Sequence, residues 1–201
     1  MRIKDNIESK QIINRSEFIC YLAKCLDEES CREFINEIRR KHPQATHVCT
    51  AYITNHKMTI KTSDDGEPSK TAGMPMLDAL QKNDLEDVCA CVVRYFGGVK
   101  LGAGGLVRAY SSSVAQAITK ATLMEVVKCQ IYSLRFTYDL VDKLNYFLQD
   151  VYIANKNYEE KVEYILYLDD EMMVEKIREF TNGKCELQFL YEEEVEKEVR
   201  R

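Results

Sequence analysis

Much of what usually announces a function is missing from this chain. No run of about 18 apolar residues occurs, so no helix is expected to span a membrane, and a membrane is not expected as a partner. The first residues, MRIKDNIESKQ, are charged and hold no apolar core, so no secretory signal is expected and the location reads as cytoplasmic. Histidine is scarce: His42, His47 and His56 are not spaced as a zinc site, and no C-x-x-C pair occurs. Neither a metal nor any other cofactor is expected. The eight cysteines (20, 25, 31, 49, 89, 91, 129 and 185) include Cys89 and Cys91 alternating in an apolar run. Without a secretory signal they read as reduced core thiols. Glycine is also sparse, with eight in 201 residues, which makes its placement informative.

Five of those glycines, Gly97, Gly98, Gly102, Gly104 and Gly105, fall within nine residues of the stretch Arg94-Tyr-Phe-Gly-Gly-Val-Lys-Leu-Gly-Ala-Gly-Gly-Leu-Val-Arg-Ala-Tyr110. The apolar run Val88–Val93 before it reads as a buried strand. The run after it places Leu106, Ala109, Tyr110, Val114, Ala117 and Ile118 at helical spacing. A glycine-rich loop between strand and helix gathers backbone N–H groups where the helix dipole favours an anion. Arg94, Lys100 and Arg108 add three cations. Two readings stay open from spacing alone: a phosphate site, or a tight crossover in which glycine only lets backbone approach backbone. The loop holds no Gly-Lys pair, so it is not a Walker A loop, and its glycines do not fit G-x-G-x-x-G.

Charge is uneven. Residues 1–123 carry 17 Lys+Arg against 15 Asp+Glu, and residues 124–201 carry 11 against 18. The acidic second part suits nucleic acid poorly, because phosphate binding is driven by cations that release counterions. Any nucleic-acid site must be a local patch on the first part.

Read in order, Ile7–Gln11 and Glu17–Leu22 are strands joined near Asn14-Arg15-Ser16. Ser30-Cys-Arg-Glu33 has the form of a capping box, opening a helix to about Arg40. Strands follow at Thr46–Tyr52 and Met58–Lys61. A long polar loop, 62–76, then carries Asp64, Asp65, Glu67, Ser69, Lys70 and Thr71, a candidate ligand loop. It fails the spacing of a calcium loop and has no histidine nearby. An Asp-Asp-Gly turn leading into a helix with Pro75 in its first turn is the preferred reading. The glycine segment and its helix run to about Thr122, with Ser111-Ser-Ser113 able to offer hydroxyls to a ligand. The second part reads strand, helix, strand, strand, helix, strand: the βαββαβ order of a ferredoxin-like domain. Gly183 is placed as a helix C-cap, and the tail 192–201 as frayed or a solvated helix end.

Asp64-Asp-Gly-Glu-Pro-Ser, Thr71-Ala-Gly and the block from Arg94 to Tyr110 together resemble the signature of the YigZ/IMPACT family, in order and at the family's spacing. The resemblance covers about residues 1–122; the second part is similar to the C-terminal domain that bacterial members add. It implies an α+β protein of two domains. Residues 1–122 would resemble the second domain of a small-subunit ribosomal protein, and 123–201 the ferredoxin-like last domain of elongation factor G. Both relatives belong to translation, and the family's eukaryotic member restrains a starvation-response kinase by competing for its activator. The family usually has glycine where Lys70 stands, and basic residues where Met74 and Glu17 stand.

Three functions are carried forward. The first is a translation-associated regulator that binds RNA or the ribosome through Arg94, Lys100, Gly102, Gly104, Gly105 and Arg108, with Tyr95 and Phe96 as candidate stacking residues. The second is a protein-binding regulatory module with an acidic C-terminal docking surface. The third is an enzyme on a small phosphorylated ligand, with Asp64, Asp65 and Glu67 as base or Mg²⁺ ligands; the chain reads as a non-enzyme ahead of this. No catalytic residue is assigned.

Overall fold

A computed structural model of the chain describes residues 1–199. It is an α+β protein with two sheets, and it divides into two compact units, Met1–Glu125 with Glu198–Arg201, and Val126–Lys197.

The first unit is built on strands β1 (Arg2–Ile3), β2 (Ile7–Ile13), β3 (Ser16–Lys24), β4 (His47–Thr54), β5 (Thr59–Ser63) and β6 (Val88–Tyr95). Its helices are α1 (Glu28–Lys41), α2 (Gly73–Lys82) and α3 (Gly102–Lys120). The sheet runs β2-β3-β6-β4-β5, with every neighbouring pair antiparallel. Central β6 is buried on both faces, and its alternation sorts its side chains. Val88, Ala90 and Val92 join the core under α2 and α3. Cys89, Cys91 and Val93 join the core under α1, with Cys31 and Ile38 of that helix. All eight cysteines are free thiols, seven of them buried.

Local sequence explains most boundaries. Asn14 and Arg15, at φ 45° and 65°, make a two-residue hairpin turn with both residues left-handed. Helix α1 is capped by Asp27: its carboxylate accepts from the Ser30 N–H at 2.8 Å, and the Ser30 hydroxyl accepts from the Asp27 N–H. The capping box is therefore Asp27-x-x-Ser30, three residues before the Ser30-x-x-Glu33 expected. A serine at N3 serves the box as well as the usual Glu, because all it must do is return a bond to the cap's N–H.

In the second unit, β7 (Leu123–Phe136), a 3₁₀ turn (Tyr138–Leu140), α4 (Val141–Phe147), β8 (Tyr152–Tyr158), β9 (Val162–Leu168), α5 (Glu171–Thr181) and β10 (Glu186–Glu198) follow in order. Strands β10, β7, β9 and β8 lie side by side in that order. Leu134, Phe136, Val162, Tyr164 and Leu166 form the core beneath the helices. Phe136 meets Tyr164 edge-on with centroids 4.8 Å apart, and Phe147 of α4 stacks on Phe180 of α5 at 4.1 Å. The C-cap of α5 is Asn182 at φ 48°, one residue before Gly183, which follows at φ 70°. Asparagine tolerates this conformation. The stretch 192–198 belongs to β10 and is not a frayed tail or helix end; residues 200 and 201 of that expectation lie outside the described residues. No helix among the described residues is long and apolar enough to cross a membrane.

Candidate functional site

The signature residues fold into one network at the end of β6. The turn at its base comes first. The Glu67 N–H donates to the Asp64 carbonyl at 2.9 Å, closing a four-residue turn whose central residues, Asp65 and Gly66, have φ of 44° and 87°. That is the type I′ geometry which Asp-Gly favours. The Asp64 carboxylate then reaches forward to the start of α2, whose N-cap position is Ala72 and offers no side chain. It accepts from the N–H groups of Lys70 (2.7 Å), Ala72 (3.0 Å) and Gly73 (2.8 Å). Burial pushes the Asp64 carboxyl up, but the three backbone donors outweigh it and hold it below the usual aspartate range. Asp65 accepts from the Val48 N–H at 2.7 Å and pairs with Arg39 at 3.3 Å.

Glu67 is the hub, with its side chain 3 % exposed. One oxygen accepts from Arg94 Nη1 at 2.6 Å and from the Tyr110 hydroxyl at 2.7 Å, with His47 Nε2 at 3.8 Å. His47 Nδ1 lies 2.8 Å from the Asp65 carbonyl, so Nδ1–H donates there and Nε2 faces the carboxylate. Burial pushes the Tyr110 hydroxyl far up, with Cys49 and Glu67 adding to it. Burial likewise pushes the Cys49 thiol up to about 12, and that thiol donates to the Asp64 carbonyl at 3.0 Å.

The sequence places Arg94 beside the loop as a free cation. Its side chain is instead buried, 6 % exposed. Nη1 is spent on Glu67, Nη2 lies 3.4 Å from the Ser16 hydroxyl, and Nε has no hydrogen-bond partner among the described residues. The guanidinium carbon sits 5.4 Å from the Phe18 ring and 5.5 Å from the Phe96 ring. Arg94 therefore holds the network from inside. Tyr95 is half-buried and its hydroxyl lies 2.8 Å from His42 Nδ1, so it packs with the α1 core; Phe96 is exposed.

Gly97 carries the crossover role. A Cβ there would lie 2.0 Å from the Arg15 carbonyl oxygen. Its N–H donates to the Ser16 hydroxyl at 3.2 Å. The β2–β3 turn thus sits directly on the glycine segment, which only glycine allows. Beyond it, the loop ends at Leu101. Gly102, Gly104 and Gly105 lie in the first turn of α3, one step past the loop in which the sequence places them. Leu101, the N-cap, offers no side-chain cap, and the first turn holds no acidic residue. Four N–H groups at such a helix start lack intrahelical partners. Lys100 and Arg108 are exposed, and neither side chain is engaged by a hydrogen bond or ion pair among the described residues. The Arg108 guanidinium folds back to within 3.8 Å of where a Cβ on Gly104 would lie.

The remaining expected residues divide. Thr71 is buried, its hydroxyl on the Pro68 carbonyl at 2.7 Å. Ser69 and Lys70 face outward. Lys70 has φ 64°, a left-handed position that explains why glycine suits it. The hydroxyls of Ser111, Ser112 and Ser113 lie well past the helix start and donate to carbonyls of α3 itself, so they are not offered to the loop. His47, Ser16 and Tyr110 join the site without being identifiable as site residues from the sequence. Tyr110 closes the signature block but stands there at core spacing, and no local pattern marks His47 or Ser16. No group of three or more His, Cys, Asp or Glu among the described residues is arranged to hold a metal ion.

The profile of the Impact N-terminal domain matches residues 14–118. IMPACT family member YvyE of Bacillus subtilis is 39% identical over 191 residues, covering 92% of this chain and 88% of that protein. IMPACT family member YigZ of Escherichia coli is 34% identical over 183 residues, covering 87% and 90%. A crystal structure of a protein described only as hypothetical is 31% identical and overlays with a TM-score of 0.61, covering 94% of this chain and 96% of that one.

Proposed function

The chain belongs to the IMPACT family, and on that premise we propose that it regulates translation by binding RNA or the ribosome through its first unit. One observation carries the reading. Two exposed cations with no side-chain partner among the described residues, Lys100 and Arg108, flank a helix start that has no side-chain cap and no acidic residue and whose first four N–H groups, as at any helix start, lack intrahelical partners. Phosphate fits that arrangement, and exposed Phe96 offers a ring face beside it for a base. The buried Glu67–Arg94–Tyr110 network holds the segment in place and leaves the outer surface to the ligand. The carboxylates of Asp64 and Glu67 are committed to backbone and to Arg94, which gives the enzymatic alternative no free base from either.

On the same footing, the first unit is read as the fold of the second domain of a small-subunit ribosomal protein. The second unit, with strand order β10-β7-β9-β8 along a βαββαβ chain, is read as ferredoxin-like.

The test is binding of the full chain to fluorescent single-stranded and structured RNA across a salt series, beside Lys100→Ala and Arg108→Ala. Each variant is expected to weaken binding across all sequences and to reduce the log–log salt slope by about one, with the urea midpoint unchanged. Absence of RNA affinity at low salt, or wild-type slopes in both variants, overturns the proposal.

A further inference from the structure

Strand β10 pairs with β7, and that is the strand it pairs with among the described residues. It is an edge of the second unit's sheet. Six consecutive residues of it, Phe189-Leu190-Tyr191-Glu192-Glu193-Glu194, are exposed. The three apolar ones are 48, 40 and 49 % exposed. Single apolar residues at a surface need no explanation, but three in a row on a strand edge are what natural edges avoid. Lysine and proline, two of the common protections, are absent from this stretch, and the apolar triplet itself carries no charge. The stretch's only charges are three glutamates directly after the apolar triplet. Glu193 accepts from the Tyr167 hydroxyl at 3.1 Å. Glu192 and Glu194 have no hydrogen bond or ion pair among the described residues.

The charge selects the occupant. Residues 126–197 carry 9 Lys+Arg against 16 Asp+Glu, so the field around this edge is negative. Nucleic acid is repelled. A second copy of the chain would bring three more glutamates to the same edge. A cationic extended segment meets the edge's two properties together: its backbone pairs with the open side of β10, its apolar side chains fall on the face of Phe189 and Tyr191, and its cations fall on the face of Glu192 and Glu194 with their stems over Leu190.

We propose that the outer edge of β10 docks an extended segment of a partner protein in which lysine or arginine alternates with apolar residues, added as a strand beside Phe189–Glu194. This goes beyond the RNA reading and uses the other unit.

The probe is a fluorescent decapeptide alternating lysine and valine, titrated against the full chain across a salt series. A glutamate–valine decapeptide, and lysine–valine decapeptides N-methylated at every second residue in both registers, run beside it. Binding by the lysine peptide, weakening with salt, is expected, with slowed amide exchange in 189–194. Glu192→Lys with Glu194→Lys should weaken that binding at least tenfold and admit the glutamate peptide. Leu190→Thr should weaken it with the charges intact, and Lys100→Ala should leave it unchanged. At least one methylated register should lose binding. The proposal is overturned by no binding of the lysine peptide at low salt, by undiminished binding of both methylated peptides, or by a concentration-dependent dimer of the free chain that the same glutamate variants abolish.

Discussion

Replacing Glu67 by alanine removes one oxygen on which two buried donors depend. Arg94 Nη1 loses its partner at 2.6 Å and the Tyr110 hydroxyl its partner at 2.7 Å. What remains to the guanidinium is the Ser16 hydroxyl at 3.4 Å, since Nε already has no partner. Breaking a buried ion pair by deleting one member costs about 3–5 kcal/mol, because the other charge stays in low dielectric. Orphaning a buried hydroxyl costs about 1–3 kcal/mol. The two losses share one acceptor atom and so do not add, which puts the expected cost at about 4 kcal/mol. Against a domain stability of about 5–15 kcal/mol, that leaves the first unit marginal.

Two companions isolate the cause. Glu67→Gln keeps an acceptor oxygen and loses the charge, and should cost about half as much, since charge-assisted bonds are roughly twice as strong as neutral ones. Glu67→Leu combined with Arg94→Met replaces the pair with apolar groups. Such swaps are often close to neutral, so the double variant should be more stable than Glu67→Ala. The assay is urea unfolding read by amide exchange in β6 and α3, because two units need not unfold together and one midpoint would mix them. A cost below about 1 kcal/mol for Glu67→Ala would refute the hub assignment. So would a double variant less stable than the single one.

Gly97→Ala places a methyl against the Arg15 carbonyl, a backbone atom that cannot rotate away, and should cost at least about 3 kcal/mol in the same urea assay. Gly98→Ala, with open space but φ 81°, should cost about 1 kcal/mol. The depressed Asp64 pKa means that the unfolded chain takes the proton first as pH falls. Its stabilisation is complete above about pH 3.9 and is lost as pH drops through the lower native value. Asp64→Asn should flatten that acid limb in urea midpoints measured across pH, and a limb as steep as wild type would sink the assignment.

Elements that depend on local pattern are legible in the amino-acid sequence. The period of two in β6, the helical spacing of α3, and the Asn14-Arg15 and Asp-Asp-Gly turns all follow from nearest neighbours. The misjudged positions are those at which a distant atom decides. The N-terminus of α2 is capped by a carboxylate from Asp64, eight and nine residues upstream of the amides it holds. The glutamate run of 192–194 looks like a solvated end from composition, yet pairing with β7 makes it strand.

Arg94 is the instructive failure, because half of its placement is readable. It follows Val88, Ala90 and Val92 at even spacing on β6, and those three face the α2–α3 core. Strand parity therefore sends its side chain inward. A cation sent inward must find a buried anion, which Glu67 supplies from 27 residues earlier. No spacing rule predicts that pairing; only antiparallel β4 and β6, with the 64–67 turn folded against Val48 and Cys49, bring the two together. Two parts of the signature that look like separate motifs in the sequence are thus the two halves of one ion pair. Burial separates these residues: Glu67 and Arg94 lie inside and pair with each other, and Lys100 and Arg108 lie outside with no side-chain partner among the described residues.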